Sequence, residues 1–265
     1  MSIGVSSSCY YPLNTEQALI ALGQAGIKTT EIFFNSNFER TAPFVAELAK
    51  IQKYFDIDIV SLHPSLSFAE PYYFFSEYKR RFEEYREDFK LYYEAAATLG
   101  AKYLIMHGDR PCNLSKITAE EYCRRFLLIA EDAQKQGVTL LQENVNKYRA
   151  ASPMFIKKML ALTNGNVNFC LDIKQAIRAG FAVDEIVEAM SGKIRHIHIS
   201  DSTPDRDCLL PKNGTFDFKK FFADMKKRQN YNGHYMIEVY SNSYSNIKEI
   251  AASYEKILPD YEDIC

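Results

Sequence analysis

The stretch HIHISD, residues 196–201, places two histidines at alternate positions of an otherwise apolar run. Residues two apart on a β-strand face the same side, so His196 and His198 would point their imidazoles to one surface. A strand buried on both faces normally reads as a continuous run of Val, Ile and Leu. The stretch therefore predicts a strand whose place in the fold requires imidazole chemistry, and Asp201 adds an acid directly after it.

Other apolar runs also carry an acid or an imidazole near their carboxyl ends. They contain His63 (SLHPS), His107 (IMHGD), Glu143 (LQENV), Asp172 (CLDIK) and Glu238 (MIEVY). Such groups bind divalent ions and transfer protons, and a buried ionised group is costly unless it is paired or metal-bound. A lone His or Glu on a strand is more often structural than functional. Many such groups at the same end of successive strands instead predict a metal site.

The runs that carry these groups alternate with helical segments along the whole chain. The strand-like runs are 3–8, 30–34, 57–63, 102–108, 138–145, 167–173, 194–200 and 234–240. The helical segments are 14–26, 41–55, 78–100, 118–137, 152–164, 182–193, 216–229 and 246–258. Strict alternation predicts parallel strands joined by right-handed crossovers. Eight such units in 265 residues predict an α/β protein with a single (β/α)8 TIM barrel domain, residues 1–265, whose active site lies at the carboxyl ends of the strands.

Composition and charge exclude several other classes of protein. Hydrophobic residues make up 47%, charged residues 25%, and the net charge is −2, which is an ordinary globular balance without a basic surface for nucleic acid. No apolar run approaches the ~18 residues of a membrane span, and we recognise no secretory signal. The cysteines form no CxxC pair and are typical of reduced thiols: Cys9, Cys112, Cys123, Cys170, Cys208 and Cys265. We expect a cytoplasmic protein that binds neither nucleic acid nor membrane, and the sequence leaves open whether it assembles as a homo-oligomer.

Taken in order and at their spacing, several motifs resemble the xylose isomerase-like superfamily. The motifs are SLHPS, MHGD, LQENV, FCLDIKQAIRAG, HIHISDSTPDR, NGTFDF and MIEVY. The superfamily contains sugar isomerases and epimerases, inosose dehydratase, hydroxypyruvate isomerase and AP endonucleases of the endonuclease IV type. The resemblance spans the chain and implies one divalent ion held by four residues from strands five to eight, which are Glu143, Asp172, His198 and Glu238 here.

The same resemblance implies the reaction. It predicts a metal-dependent isomerase or epimerase of a small sugar or sugar derivative, with Glu143 and Glu238 as acid and base around an enediolate. Three carboxylates and one imidazole favour Mn²⁺, with Mg²⁺, Co²⁺ and Zn²⁺ as alternatives. A keto-polyol dehydratase or lyase of the same superfamily is the alternative function.

Two departures from the family motifs argue against a further alternative function, an endonuclease IV-like phosphodiesterase. The usual D-x-x-H motif of strand six ends in Gln175 here, and the loop PDRDC, 204–208, lacks the histidine of the D-x-H motif after strand seven. A trinuclear metal site would therefore lack two imidazoles. His63 and His107 do match the positions at which that branch binds a further metal.

The remaining candidates surround the predicted metal site. His63, His107, Lys174, Gln175 and Arg206 are predicted to bind substrate, and the two histidines are also candidates for a second ion. The two cations could instead pair with neighbouring acids. His196, one layer deeper than His198, is predicted to support the site without binding the metal, and Asp201 to lie at its rim. The aromatic segment FAEPYYFFSEY, 68–78, predicts either a lid or a subunit interface.

Overall fold

Eight parallel strands close into a barrel in the computed structural model, which describes residues 2–65, 67–111, 116–190 and 192–264. The strands are β1 (Ser2–Ser6), β2 (Thr29–Phe33), β3 (Asp58–His63), β4 (Tyr103–Met106), β5 (Thr139–Glu143), β6 (Asn168–Asp172), β7 (Ile194–Ile199), β8 (Asp201–Thr203), β9 (Arg206–Leu209) and β10 (His234–Ile237). The order around the barrel is β1-β10-β7-β6-β5-β4-β3-β2, while β8 and β9 form a separate hairpin. The predicted α/β TIM barrel is confirmed.

Helices cover the outside of the barrel. They are α1 (Thr15–Gln24), α2 (Ala42–Phe55), α3 (Glu70–Tyr73), α4 (Lys79–Asp88), α5 (Lys90–Leu99), α6 (Ala119–Lys135), α7 (Pro153–Leu162), α8 (Ile173–Arg178), α9 (Val183–Met190), α10 (Phe218–Gln229) and α11 (Lys248–Glu262). Short 3-10 turns span Ser7–Tyr10, Asn37–Arg40, Ser67–Ala69, Arg149–Ala151 and Ser241–Ser243. Within the described ranges, no helix is long and apolar enough to cross a membrane.

The structure differs from the predicted elements at several places, and two of its helices, α3 and α8, have no predicted counterpart. The predicted helix 78–100 is divided between α4 and α5 at Phe89, which is buried with its ring 5.0 Å from that of Phe74. The predicted helix 182–193 is α9, and its Ser191 lies outside the described residues. The loop predicted after strand seven contains the β8–β9 hairpin.

Asp201 anchors the chain that follows β7. It is buried, not at the rim of the site as expected, and its carboxylate accepts hydrogen bonds from the backbone N–H groups of Gly214 and Phe216, both at 2.9 Å. A Cβ atom on Gly214 would lie 2.3 Å from Asp201 Oδ1, so only glycine permits this approach. The acid therefore fixes the loop between β7 and α10.

The hydrophobic core has two parts. The larger one fills the space between the strands and the surrounding helices. The smaller one lies inside the barrel, where Ile105, Leu141 and Cys170 are fully buried and pack with Tyr103. Because side chains alternate along a strand, these residues lie one inward layer below the residues that end β5 and β6. Cys9, Cys123, Cys170 and Cys208 are free, buried thiols, as predicted, and Cys112 and Cys265 lie outside the described residues.

Candidate metal centre

Four strands that are neighbours in the barrel bring the four predicted metal ligands to one point. Glu143 ends β5, Asp172 ends β6, His198 lies one residue before the end of β7, and Glu238 directly follows β10. One ligand atom from each residue lies within 4.8 Å of the others. His198 Nδ1 is 3.4 Å from Glu143 Oε1, 3.8 Å from Asp172 Oδ2 and 3.5 Å from Glu238 Oε2. We refer to these four residues as the acid cluster.

The acid cluster has the donor set of a divalent ion. All four residues are buried, and neither His198 Nδ1 nor Glu143 Oε2 has a hydrogen-bond partner. Buried polar atoms without a partner are rare; here the imidazole nitrogen faces three carboxylates, and the glutamate oxygen faces the imidazoles of His63 and His107. Carboxylate oxygens with one imidazole nitrogen suit ions such as Mn²⁺ or Mg²⁺. The residues therefore fit a metal ion, and the buried cluster indicates a metal site.

Glu31, on β2, holds the far side of the His198 ring. Its Oε2 atom lies 3.2 Å from His198 Nε2, 3.3 Å from His196 Nε2 and 2.8 Å from Ser61 Oγ. When His198 donates its Nε2–H to this carboxylate, Nδ1 keeps its lone pair for an ion. His196 contacts Glu31 and Ser61 and has no part in the acid cluster.

The electrostatics keep Glu31 ionised although it is completely buried. Burial raises the pKa of its carboxyl, but His198 and His196 outweigh burial and hold that pKa well below its usual range. Burial lowers the pKa of His196. The sequence analysis missed Glu31, although a lone acid inside the strand TTEIF is the same signal that singled out the other strands.

Lys174 lies inside the acid cluster, where it pairs with two of the carboxylates. Its ammonium nitrogen is 2.7 Å from Asp172 Oδ2 and 2.6 Å from Glu238 Oε2, and the side chain is fully buried. Burial alone lowers the pKa of Lys174, but the two carboxylates reverse this and raise it well above the usual value. Burial likewise raises the pKa of Asp172, and Lys174 brings it below its usual value.

His63 and His107 form a second group with Glu143. The Nε2 atoms of the two histidines are 3.1 Å apart, and they lie 3.7 Å and 3.1 Å from Glu143 Oε2. The ring of His63 stacks on Phe33 with 4.5 Å between centroids. Burial lowers the pKa of His63, but Glu143 reverses the shift and raises it. Glu143 itself keeps a pKa well below its usual range because His107, His198 and His63 outweigh the effect of burial.

Two other predicted residues lie outside these groups. The backbone N–H of Gln175 donates to Asp172 Oδ1 at 2.9 Å, so that Asp172 caps the start of α8, and the Gln175 side-chain oxygen accepts from the backbone N–H of Asn146 at 3.0 Å. Arg206 is exposed at the start of β9, and within the described chain no polar contact joins it to the acid cluster. The structure therefore brings seven of the nine predicted site residues together: His63, His107, Glu143, Asp172, Lys174, His198 and Glu238.

A pocket of about 270 Å³ opens beside Glu238. It is lined by Ser8, Tyr11, Phe33, Asn35, Glu238, Tyr240 and Ser241. These residues follow or end β1, β2 and β10, so the pocket lies at the carboxyl ends of the strands. Aromatic rings with a few hydroxyl and amide groups are typical of a surface that binds a sugar.

The aromatic segment 68–78 is only partly exposed. Phe74 and Phe75 are fully buried, whereas Phe68 is 74% exposed and Tyr78 56% exposed. Glu70 in this segment accepts a hydrogen bond from the Gly108 N–H, at 2.5 Å, and so joins the segment to the chain beyond β4. Half of the segment is therefore core, and the exposed rings are the part that remains a candidate lid or interface.

A closed parallel barrel with buried acids and imidazoles at the carboxyl ends of its strands defines a class of barrel protein with a metal site. The family model described as xylose isomerase-like TIM barrel (AP endonuclease family 2) matches residues 19–258. The chain belongs to this family. No curated protein matches the chain.

Solved structures share the fold at low sequence identity. A D-tagatose 3-epimerase-like protein has a TM-score of 0.77 at 19% identity and covers 100% of this chain and 98% of its own. D-allulose 3-epimerase from Methylomonas sp., in complex with D-allulose, has a TM-score of 0.77 at 17% identity and covers 98% and 96%. The 3-keto-D-glucoside 4-epimerase of E. coli has a TM-score of 0.74 at 15% identity and covers 98% and 99%. At these identities the likeness shows the fold.

Proposed function

We propose that the protein is a divalent-metal-dependent epimerase or isomerase of a small sugar, with Mn²⁺ as the preferred ion. One observation carries the proposal: four neighbouring strands bring Glu143, Asp172, His198 and Glu238 within 4.8 Å of one another. Sugar 3-epimerases among the structural neighbours are consistent with this function.

The pocket beside Glu238 is the place for the sugar. Glu238 lines the pocket and also belongs to the acid cluster, so its carboxylate faces both the substrate and the ion. Tyr11, Phe33 and Tyr240 line the pocket and would contact the sugar through their rings, and Asn35 would offer an amide. His63, whose ring stacks on Phe33 of the pocket, and His107 beside it would hydrogen-bond substrate oxygens.

Proton transfer belongs to the two glutamates. In the order β10-β7-β6-β5, Glu238 and Glu143 come from the two outer strands, so their carboxylates approach the centre from different sides. Glu143 is ionised at neutral pH because the imidazoles beside it hold its pKa low, and it can accept a proton. One glutamate, as the carboxylate, removes the proton from the carbon next to the carbonyl, and the other, as the carboxylic acid, delivers its own proton to the opposite face, so that the two exchange protonation states. Inversion at that carbon is epimerisation.

The ion supplies the remaining chemistry when it is bound. Held by the acid cluster, it would polarise the substrate carbonyl and stabilise the negative charge that forms on oxygen. Glu31 keeps His198 oriented for this task through the contact at Nε2.

Solvent deuterium exchange tests the proposal. The Mn²⁺-loaded protein is incubated with D-allulose or D-tagatose in D₂O, and NMR follows deuterium at the carbon next to the carbonyl. We expect incorporation by the wild type, a rate about 10²- to 10⁴-fold lower in Glu143→Gln or Glu238→Gln, and full activity in Glu47→Gln, which changes an exposed glutamate of α2. Exchange that persists at the wild-type rate in both cluster variants would refute the assignment.

Product analysis separates the related reactions. An epimerase or isomerase conserves the mass of the sugar, whereas a keto-polyol dehydratase releases water. An endonuclease-like phosphodiesterase would instead bind several zinc ions and cut abasic DNA. One Mn²⁺ per chain without nicking would eliminate that alternative.

A further inference from the structure

Lys174 places a positive charge between two of the proposed metal ligands. Its nitrogen lies 2.7 Å from Asp172 Oδ2 and 2.6 Å from Glu238 Oε2. These are the same two oxygen atoms that face His198 Nδ1 at 3.8 Å and 3.5 Å. The ammonium group therefore lies inside the acid cluster and forms ion pairs with two of its carboxylates.

We propose that Lys174 is a built-in cation of the metal centre, which a divalent ion must displace in order to bind. The inference rests on the proposed function in one respect, because it takes the acid cluster as the set of metal ligands. Lys174 lowers the affinity of the centre for divalent ions and keeps the barrel stable when no ion is bound.

The need for such a cation follows from the charges. Glu143, Asp172 and Glu238 bring three carboxylates within 4.8 Å of one another in a buried place, where repulsion between like charges is weakly screened. Neighbouring imidazoles surround Glu143, but Asp172 and Glu238 share Lys174 as their ammonium partner. Removal of that partner would leave two buried acids facing each other, which is strongly unfavourable.

The same contacts set up the competition. An ion bound to Asp172 Oδ2 and Glu238 Oε2 would lie close to an ammonium that touches both oxygens, and two cations at that separation repel each other strongly. The ring centroid of Tyr240 is 5.3 Å from Lys174 Nζ, and Tyr240 lines the sugar pocket. Lys174 therefore already lies at cation–π distance from this ring, which it shares with the Arg178 guanidinium, 5.2 Å from the same centroid.

Direct binding of Mn²⁺ tests the inference without any sugar. Metal-free wild type, Lys174→Met and Lys157→Met are titrated with Mn²⁺, and the free ion is followed by electron paramagnetic resonance. Lys157 is an exposed lysine on α7 and controls for the loss of a surface charge. We expect Lys174→Met to bind one Mn²⁺ about 10- to 100-fold more tightly than the wild type, by analogy with the size of other effects on metal-site affinity, and Lys157→Met to behave as the wild type.

A second measurement uses the wild-type protein and does not depend on how the variant folds. Acetic anhydride modifies accessible lysines, and mass spectrometry measures the modified fraction of Lys174 with and without saturating Mn²⁺. We expect Lys174 to be protected in the metal-free protein and to become at least about tenfold more reactive when Mn²⁺ displaces it, since a buried paired amine reacts slowly.

The outcomes separate this inference from the proposed function. Equal Mn²⁺ affinities of wild type and Lys174→Met, or unchanged labelling of Lys174 on Mn²⁺ binding, would overturn the inference and leave the metal-dependent reaction standing. Absence of Mn²⁺ binding in both proteins would overturn the metal centre and the inference with it. Tighter binding by Lys174→Met, together with no exchange on any sugar, would support the inference and refute the sugar reaction.

Discussion

The pKa values of histidines at the two ends of the barrel are shifted in opposite directions. At the carboxyl end, burial lowers the pKa of His198, but the acidic groups around it raise that pKa well above its usual value. At the amino end, His234 begins β10, and its Nδ1 lies 2.9 Å from Ser2 Oγ. Burial and nearby positive groups lower the pKa of His234 to about 4. One imidazole is therefore set among negative charges, and the other is kept neutral.

The groups that can do chemistry lie at one end of the barrel, and the histidine that joins β1 to β10 lies at the other end. Between the two ends lies the apolar layer of Ile105, Leu141 and Cys170. Above it, carboxylates and imidazoles are buried at the carboxyl ends of the strands, which is the end that carries activity in TIM barrels. Below it, a neutral hydrogen bond joins β1 to β10, which are paired through His234 and Ser2.

The largest expected difference between the two ends is in activity. Glu143→Gln at the carboxyl end should reduce deuterium exchange into the sugar by about 10²- to 10⁴-fold, because it removes an acid–base group. His234→Gln at the amino end should change the rate by less than about twofold, since its side chain is hydrogen-bonded to Ser2 at the end of the barrel opposite the acid cluster. Both variants are compared by NMR after their folding is verified by circular dichroism. A comparable loss in His234→Gln would contradict the division of the barrel into two ends.

Part of this division could be predicted from the sequence. The alternation of strands and helices predicted the barrel, and an acid or imidazole near the end of an apolar run predicted which strand ends come together at the site. His63, Glu143 and Asp172 do lie at the last positions of their strands. Backbone geometry alone thus determines at which end of the barrel a strand residue lies.

The rest depends on how side chains pack across the barrel. Glu31 lies on β2, far from β7 in the sequence, and its contact with His198 appears only when the barrel closes. Lys174 follows its strand by two residues, so the sequence placed it near the site, but the direction of its side chain depends on α8. The side-chain oxygen of Gln175 accepts from the backbone N–H of Asn146 at 3.0 Å, a contact between α8 and the loop after β5 that no local pattern encodes.

Removal of the metal gives the next largest expected effect. Chelation should reduce exchange by about 100-fold or more, because the charge that forms on the substrate oxygen is no longer stabilised. Re-addition of Mn²⁺ should restore it. The chelated protein should stay folded, with only a modest decrease in melting temperature, since Lys174 still pairs with Asp172 and Glu238. Unfolding on chelation would show that the carboxyl end depends on the ion for its structure.

Glu31→Gln should produce a smaller effect, and it tests whether the carboxylate behind His198 also contributes to metal binding. The amide has nearly the shape of the carboxylate but lacks the charge that favours the Nε2–H form of His198. We expect Mn²⁺ to bind about 10- to 100-fold more weakly, as measured by titration. Ser61→Ala serves as the control, because Ser61 contacts Glu31 but has no contact with the acid cluster itself. An unchanged affinity of Glu31→Gln for Mn²⁺ would mean that Glu31 does not contribute to metal binding by the acid cluster.

The smallest expected effect lies at the amino end and appears as a dependence of stability on pH. The pKa of His234 is about 4 in the folded protein, below the ordinary value of 6.5, so the unfolded chain binds a proton more readily in that interval. Its contribution to stability is therefore full above pH 6.5 and is lost as the pH decreases towards about 4. The loss should be about 1 kcal/mol, less than the full shift implies, because the ring is partly exposed. Urea unfolding gives the free energy of unfolding of metal-free wild type and of His234→Gln at pH 7.5 and at pH 4.5, which span most of this interval. Subtracting the change of the variant from the change of the wild type cancels the titration of the other groups and leaves the contribution of His234. If the two proteins lose stability equally, His234 is not held neutral, and the contrast with His198 does not extend to the amino end of the barrel.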